Sequence, residues 1–272
     1  CRPRLDDHRG HSSHQAVGEL IVELLGRVAL VTGAGRRLGR ALAAALATRG
    51  MTLALHHHAS SDGAAALRDS IVAGGGRAQC FPADLTDASA ARDLAGRVVT
   101  TFGRLDVLVN SAAIMERLSF EETTPEKWDQ ILDLNLRAAF FCTQGAATAL
   151  RQARGKVVNL ADLAGLEPWP AYAAHSVSKA GIVMLTKLLA LSLAPDITVN
   201  AIAPGAVLVP EAYDEAAKQW LARSTPLGRL GSPDDVVGAM LYLLESGDYV
   251  TGTTMVVDGG RHIRTDRPDR LP

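Results

Sequence analysis

The segment Thr32-Gly33-Ala34-Gly35-Arg36-Arg37-Leu38-Gly39 concentrates glycines and arginines in a way that suits phosphate chemistry. Glycines let a backbone approach a pyrophosphate closely, and the N-terminus of a following helix adds N–H donors and a positive dipole. Gly33, Arg36, Arg37, Leu38 and Gly39 are therefore expected to hold a dinucleotide. Further on, the chain reads Leu55-His56-His57-His58-Ala59-Ser60, with no acid. A site for NAD places Asp or Glu there, against the ribose 2′-hydroxyl. Arg36, Arg37, His58 and Ser60 instead offer donors for a 2′-phosphate, so the expected cofactor is NADPH/NADP. Asp62 is expected to cap the next helix. His8, His11 and His14 have a spacing that could suit a metal, but they read as part of a tail. Successive histidines of a strand point to opposite faces, so no metal is expected.

Short β-rich runs stand at Arg27–Thr32, Thr52–His56, Ala78–Phe81, Asp106–Asn110, Lys156–Leu160, Thr198–Ile202 and Thr253–Val257. Amphipathic Ala/Leu-rich segments separate most of them. Thr124-Pro125 and Ser232-Pro233-Asp234-Asp235 mark helix starts. Two long helices are expected around Lys127–Leu150 and Tyr172–Leu193. Such alternation predicts an α/β protein: a single-domain Rossmann fold whose doubly wound, seven-stranded parallel sheet carries helices on both faces. The domain is expected over 25–260, between a polar N-terminal tail (1–24) and a charged C-terminal tail (261–272).

The chain has 272 residues, with 28 Lys+Arg against 29 Asp+Glu. That near-neutral balance argues against a nucleic-acid or membrane-surface protein. Aromatic residues make up only 4%, so aliphatic side chains must do the packing. Cys1, Cys80 and Cys142 form no CxxC pair, which fits a reducing, cytoplasmic setting. The apolar stretch Gly181–Ala194, broken by Lys187, is short for a membrane span. The N-terminus has no apolar core of the signal-peptide kind.

The segments VTGAGRRLG, Asp84-Leu85, Asn110-Ser111-Ala112-Ala113, Asn135 within LDLNLRAA, Pro204-Gly205 and VTGTTMVVDGG together resemble the short-chain dehydrogenase/reductase family over roughly Leu25–Gly260. The resemblance implies that Asp84 and Leu85 contact the adenine. It also implies that Asn110 and Ala112 line the cofactor channel, with Pro204 and Gly205 following the sixth strand. Arg37 replaces the second glycine of the family's TGxxxGxG turn. With HHHAS after the second strand, this resembles the pteridine-reductase branch, although that branch has Arg where this chain has Ala59. Family members are often tetramers built through the two long helices, so a homo-oligomer, dimer or tetramer, is expected.

The family's acid pair follows the pattern Ser, twelve residues, Tyr, three residues, Lys. Here the spacing holds Asp162, His175 and Lys179. Asp162 replaces the Ser, as in pteridine reductases, and His175 replaces the Tyr. Hydride transfer to C=O or C=N builds negative charge on the heteroatom, which a donor must protonate. Imidazolium is intrinsically a stronger acid than phenol. The charge of Lys179 disfavours imidazolium, whereas an ionised Asp162 favours it. An Asp162–His175 pair can thus deliver a proton near neutral pH. By resemblance, Lys179 holds the nicotinamide ribose and Asn135 organises a proton-relay water. Tyr172 lies three residues before His175 and is expected to line the substrate pocket, or to donate the proton itself. Trp169 is expected at the pocket rim.

The leading expectation is an NADPH-dependent reductase of a C=N bond in a pterin-like ring or cyclic imine. The alternatives are a carbonyl or 3-oxoacyl reductase, and a catalytically degenerate NADPH-binding sensor or interaction protein. The partner is expected to be a small-molecule substrate, with no nucleic acid and no membrane. The segment 207–223, with Glu211, Tyr213 and Trp220, is expected to cover the substrate or to form a surface helix.

Overall fold

The structure, a computed structural model, describes residues 22–209 and 213–264. The histidines His8, His11 and His14, and Glu211, lie outside the described residues. Seven parallel strands form one sheet: β1 (Val28–Val31), β2 (Thr52–His57), β3 (Arg77–Pro82), β4 (Val107–Asn110), β5 (Lys156–Leu160), β6 (Thr198–Pro204) and β7 (Thr254–Val257). Their order is β3-β2-β1-β4-β5-β6-β7. The strand order reverses between β1 and β4, and a crevice opens there at the carboxyl edge of the sheet.

Alternate residues of β1 feed two cores, because side chains alternate across a strand. Val28 and Leu30 face α3 (Ala88–Phe102), α5 (Ala138–Ala153) and α6 (Ala173–Leu193), meeting Leu94, Val98, Cys142, Leu150 and Leu185. Ala29 and Val31 face α1 (Arg37–Thr48), α2 (Ser61–Ala73) and α8 (Pro233–Glu245), meeting Leu42, Leu46, Leu67, Met240 and Leu244. The register of β1 is anchored by Asp106. Its fully buried carboxylate accepts from the Val28 N–H at 2.9 Å and from Arg104 Nε at 2.8 Å.

Local signals place the helices. The Thr124 hydroxyl accepts from the Lys127 N–H at the start of α4 (Pro125–Leu132). The Asp235 carboxylate accepts from the Ser232 N–H and opens α8. Asp62 does not cap α2: Ser60 occupies that place, and Asp62 sits in the first turn, where the helix dipole favours an acid. The expected helix from Lys127 to Leu150 is interrupted by a π-turn over Asp133–Arg137. The second long helix, α6, is long and apolar enough to cross a membrane. Here Ile182, Leu185, Leu189 and Leu193 pack against the sheet. α7 (Glu215–Arg223) follows β6.

Residues just outside 25–260 also pack onto the folded body. Leu24 is buried against the α1–α8 side. At the other end, Asp258 Oδ2 accepts from His262 N and Nδ1, each at 2.7 Å, and folds 261–263 into a 3₁₀ turn. Burial by itself would raise the Asp258 carboxyl, but the His262 and Gly260 hydrogen bonds hold it below its ordinary value.

Candidate active site

The turn after β1 is built by side chains from neighbouring strands. Thr32 Oγ1 accepts from the N–H groups of Ser111 and Ala112 at 2.9 and 3.0 Å, tying the ends of β1 and β4 together. His56 Nδ1 accepts from the Gly33 N–H at 3.1 Å, and its Nε2 donates to the Ala83 carbonyl at 3.2 Å. Burial pushes this imidazole down to about 4, so it stays neutral in that double role. Neither Thr32 nor His56 is singled out by the motif. Gly33 has φ +68°, and a Cβ there would stand 3.0 Å from the Ala112 Cα. The first bond of α1 is donated by Arg40. The N–H groups of Arg37, Leu38 and Gly39 therefore lack helical acceptors, and Arg36 gives no side-chain cap. These open donors suit an anionic group.

Arg37 also adopts a left-handed backbone, with φ +50°. This explains why its position favours glycine; an L-residue there costs roughly 1–2 kcal/mol. The Arg37 guanidinium does not face His58 and Ser60 as expected. Its Nη2 donates to the Leu208 carbonyl at 2.7 Å, in the loop after β6 on the other side of the switch point. Arg36 remains the arginine available to the β2 end.

A cleft of about 1260 Å³ runs along the carboxyl edge. Its wall includes the expected Gly33, Arg36, Arg37, Leu38, Gly39, His58, Ala59, Ser60, Asp84, Leu85, Ala112, Asp162, Trp169, Tyr172, Lys179, Pro204 and Gly205. The glycine cradle, the open helix N-terminus and the acid-free end of β2 all fit an NADP-type dinucleotide.

Three expected residues lie behind that wall. Asn110 donates to Asn159 Oδ1 at 2.9 Å and to Thr143 Oγ1 at 3.1 Å, so it ties β4 to β5 and α5 rather than lining the channel. Asn135 sits in the π-turn, a helix defect that re-aims side chains. Its Oδ1 accepts from Ile114 N at 2.8 Å, and its Nδ2 donates to the Ile114 carbonyl at 2.9 Å and to Ser178 Oγ at 3.1 Å. It clamps the loop after β4 onto α6. His175 is 3% exposed. Its Nδ1 lies 3.2 Å from the Ile114 carbonyl, which can only accept, so Nδ1 carries the hydrogen. Its Nε2 is buried without a hydrogen bond and points toward Asp162 Oδ2, 3.8 Å away. The imidazole is not part of the cleft wall.

Asp162 itself does face the cleft. Its Oδ1 is fixed by the Ala164 N–H at 2.8 Å, while Oδ2 faces His175. Lys179 Nζ donates to the Leu160 carbonyl at 2.6 Å. Burial pulls its ammonium down to about 8, against the attraction of Asp162. Tyr172 packs edge-on to Trp169, with ring centroids 6.1 Å apart. Burial and Tyr213 raise its phenol, and Arg117 opposes the rise. Arg117 and Tyr213 also line the cleft. Arg117 carried no motif that could have revealed it.

The model of the family described as enoyl-(acyl carrier protein) reductase matches residues 33–262. The chain belongs to the short-chain dehydrogenase/reductase family and is an NAD(P)-dependent oxidoreductase by that membership. Among its relatives is a 3-oxoacyl-[acyl-carrier-protein] reductase of Synechocystis sp., 37% identical over 241 residues, which span 87% of this chain and 97% of the relative. A gluconate 5-dehydrogenase from Burkholderia cenocepacia, solved with NADP and tartrate, superposes with a TM-score of 0.83 at 29% identity. That match covers 89% of this chain and 98% of the neighbour. A blue fluorescent protein from a metagenomic library, solved with NADPH, gives a TM-score of 0.82 at 29% identity, covering 88% and 99%.

Proposed function

We propose that this protein reduces a carbonyl group with NADPH. The observation that carries this reading is the single cleft in which the glycine turn, Lys179 and Asp162 share one wall. The acid-free end of β2, with Arg36, His58 and Ser60 beside it, supports NADP(H) over NAD(H). So do the NADP and NADPH held by the two structural neighbours. The relatives' names favour C=O over the C=N bond of a pterin or cyclic imine, because they are called 3-oxoacyl reductase and gluconate dehydrogenase.

When bound, the cofactor supplies the hydride. The open N–H groups of Leu38 and Gly39 would hold its pyrophosphate, Lys179 would orient its ribose hydroxyls, and Asp84 and Leu85 would border its adenine. Asp162 stands at the cleft wall and delivers the proton to the carbonyl oxygen as the carbon gains hydride. His175 stands in the place of the family's Tyr but acts as a positioning residue behind Asp162: its Nε2 flanks Oδ2 at 3.8 Å without a hydrogen bond. Asp162, in contact with the cleft's solvent, takes up its next proton from there. Tyr172 is the weaker candidate donor, because its burial makes the phenol a poorer acid than usual.

NADPH consumption is the test, with a 3-oxoacyl thioester, a keto sugar acid, a cyclic imine and a dihydropterin as substrates. Turnover of a ketone is expected. Turnover confined to the C=N compounds would replace the carbonyl reading, and NADPH binding with no turnover of any of them would leave a sensor.

The same reading extends to assembly. Val177, Met184, Leu188 and Leu191 are exposed along one side of α6, and Phe140 is exposed on α5. A second copy of this chain would cover such a stripe. Light scattering is expected to give a dimer or tetramer, and a monomer at micromolar concentration would remove this assignment.

A further inference from the structure

Arg117 stands at the cleft wall, near enough to Tyr172 to act on its hydroxyl electrostatically. Tyr213 also lines the cleft and acts electrostatically on the same hydroxyl. Among the described residues Arg117 has no ion pair or hydrogen bond. Its neighbour Glu116 is already taken by Lys127, at 3.0 Å. An exposed guanidinium at a cleft wall with no protein partner is free to receive an anionic ligand.

The cofactor does not account for it. The phosphate-binding groups gather at the glycine turn and the end of β2. Arg117 instead adjoins the start of α6, where the backbone bridge between Leu118 and Tyr172 fixes it. One acid of the cleft, Asp133, is tied down on the cofactor side. Arg137 bonds both Asp133 Oδ2, at 2.9 Å, and the Thr86 carbonyl, at 2.6 Å. This ties Asp133 to the loop after β3, on the side of Asp84. Asp162 shares the cleft wall with Arg117 and Lys179.

We propose that the substrate carries an anionic group, a carboxylate or a phosphate monoester, which Arg117 receives beside the Tyr172 and Tyr213 hydroxyls while the carbonyl lies against Asp162. The inference rests on the carbonyl-reductase reading for the placement of the reacting group. Its test can be read without turnover.

Two ligand pairs separate the two anions. Acetoacetate and acetoacetamide differ in a carboxylate. Acetoacetyl-pantetheine 4′-phosphate and acetoacetyl-pantetheine differ in a phosphate. Each is titrated by calorimetry into the complex with NADP⁺, where no reduction can occur. The anionic member of at least one pair is expected to bind more tightly than its neutral partner. Arg117→Ala is expected to weaken that member about 10- to 100-fold and leave the neutral one unchanged. Arg117→Lys should restore part of the loss. Because Arg117 is exposed and unpaired, both variants should melt like the wild type. With NADPH, the same loss should appear in KM and not in kcat. Equal affinity within both pairs, no saturable binding of any of the four, or an equal effect of Arg117→Ala on charged and neutral ligands would overturn the proposal. If anions bind through Arg117 but no ketone is reduced, the carbonyl reading fails alone.

Discussion

Replacing Asp162 by Asn is expected to lower kcat about 10²- to 10⁴-fold, the usual span for loss of a positioned acid or base. NADPH binding should be unaffected, because Asp162 lies at the substrate end of the cleft. Asn keeps the size of the side chain and an oxygen for the Ala164 N–H, but it can neither carry nor pass a proton. The companion variants apportion the roles. Tyr172→Phe should change kcat much less. His175→Asn retains an N–H donor for the Ile114 carbonyl and removes the ring nitrogen that faces Asp162. It should lower kcat and reshape the pH–rate profile without altering the KM for NADPH. Near-normal turnover in Asp162→Asn, together with its loss in Tyr172→Phe, would move the proton donor to Tyr172.

The second large effect is on stability, and it originates at His56. Above pH 6.5 this imidazole is neutral in both the folded and unfolded chain and contributes no pH dependence. As the pH falls below 6.5 the unfolded chain takes up a proton, while the folded ring refuses it until about 4. Stability therefore declines across that window and levels off below it. The gap between 6.5 and about 4 corresponds to about 3 kcal/mol. Once protonated, Nδ1 would confront the Gly33 N–H with a second donor, so the glycine turn is the first structure to suffer. Denaturant melts from pH 7 to 4 should show this slope in the wild type. In His56→Asn the amide oxygen can take over from Nδ1 and does not titrate, so the slope should flatten. Identical pH profiles for the two proteins would show that His56 is not held neutral in the fold.

Much of this architecture is legible in single segments. The β-rich runs fall within a residue or two of the seven observed strands, because a strand buried on both faces must be apolar along its length. The glycine turn is legible for a similar reason. The space before Ala112 and the left-handed φ of Gly33 exclude most side chains, whatever lies elsewhere in the chain. Position along the chain does not tell where a side chain is directed. The side chains of Arg37, Asn110, Asn135 and His175 are each directed by a partner far away in sequence. Leu208 turns Arg37 across the switch point, Asn159 holds Asn110 inside the sheet, and Ile114 claims both Asn135 and His175.

His175 shows the division most plainly. The sequence alone determined that an imidazole stands thirteen residues after Asp162 and four before Lys179, on a helix that faces the carboxyl edge of a parallel sheet. It also determined that the protein is a Rossmann-type reductase with a cofactor turn after its first strand. Only the tertiary structure decided that this ring is not part of the cleft wall and that Asp162 is the group exposed there. Only the fold put Arg117 at the cleft wall with no ion pair or hydrogen bond among the described residues. Local sequence sets backbone conformation through sterics and hydrophobic periodicity. The reach and charge balance of a side chain depend on distances between elements that meet only when the sheet is assembled.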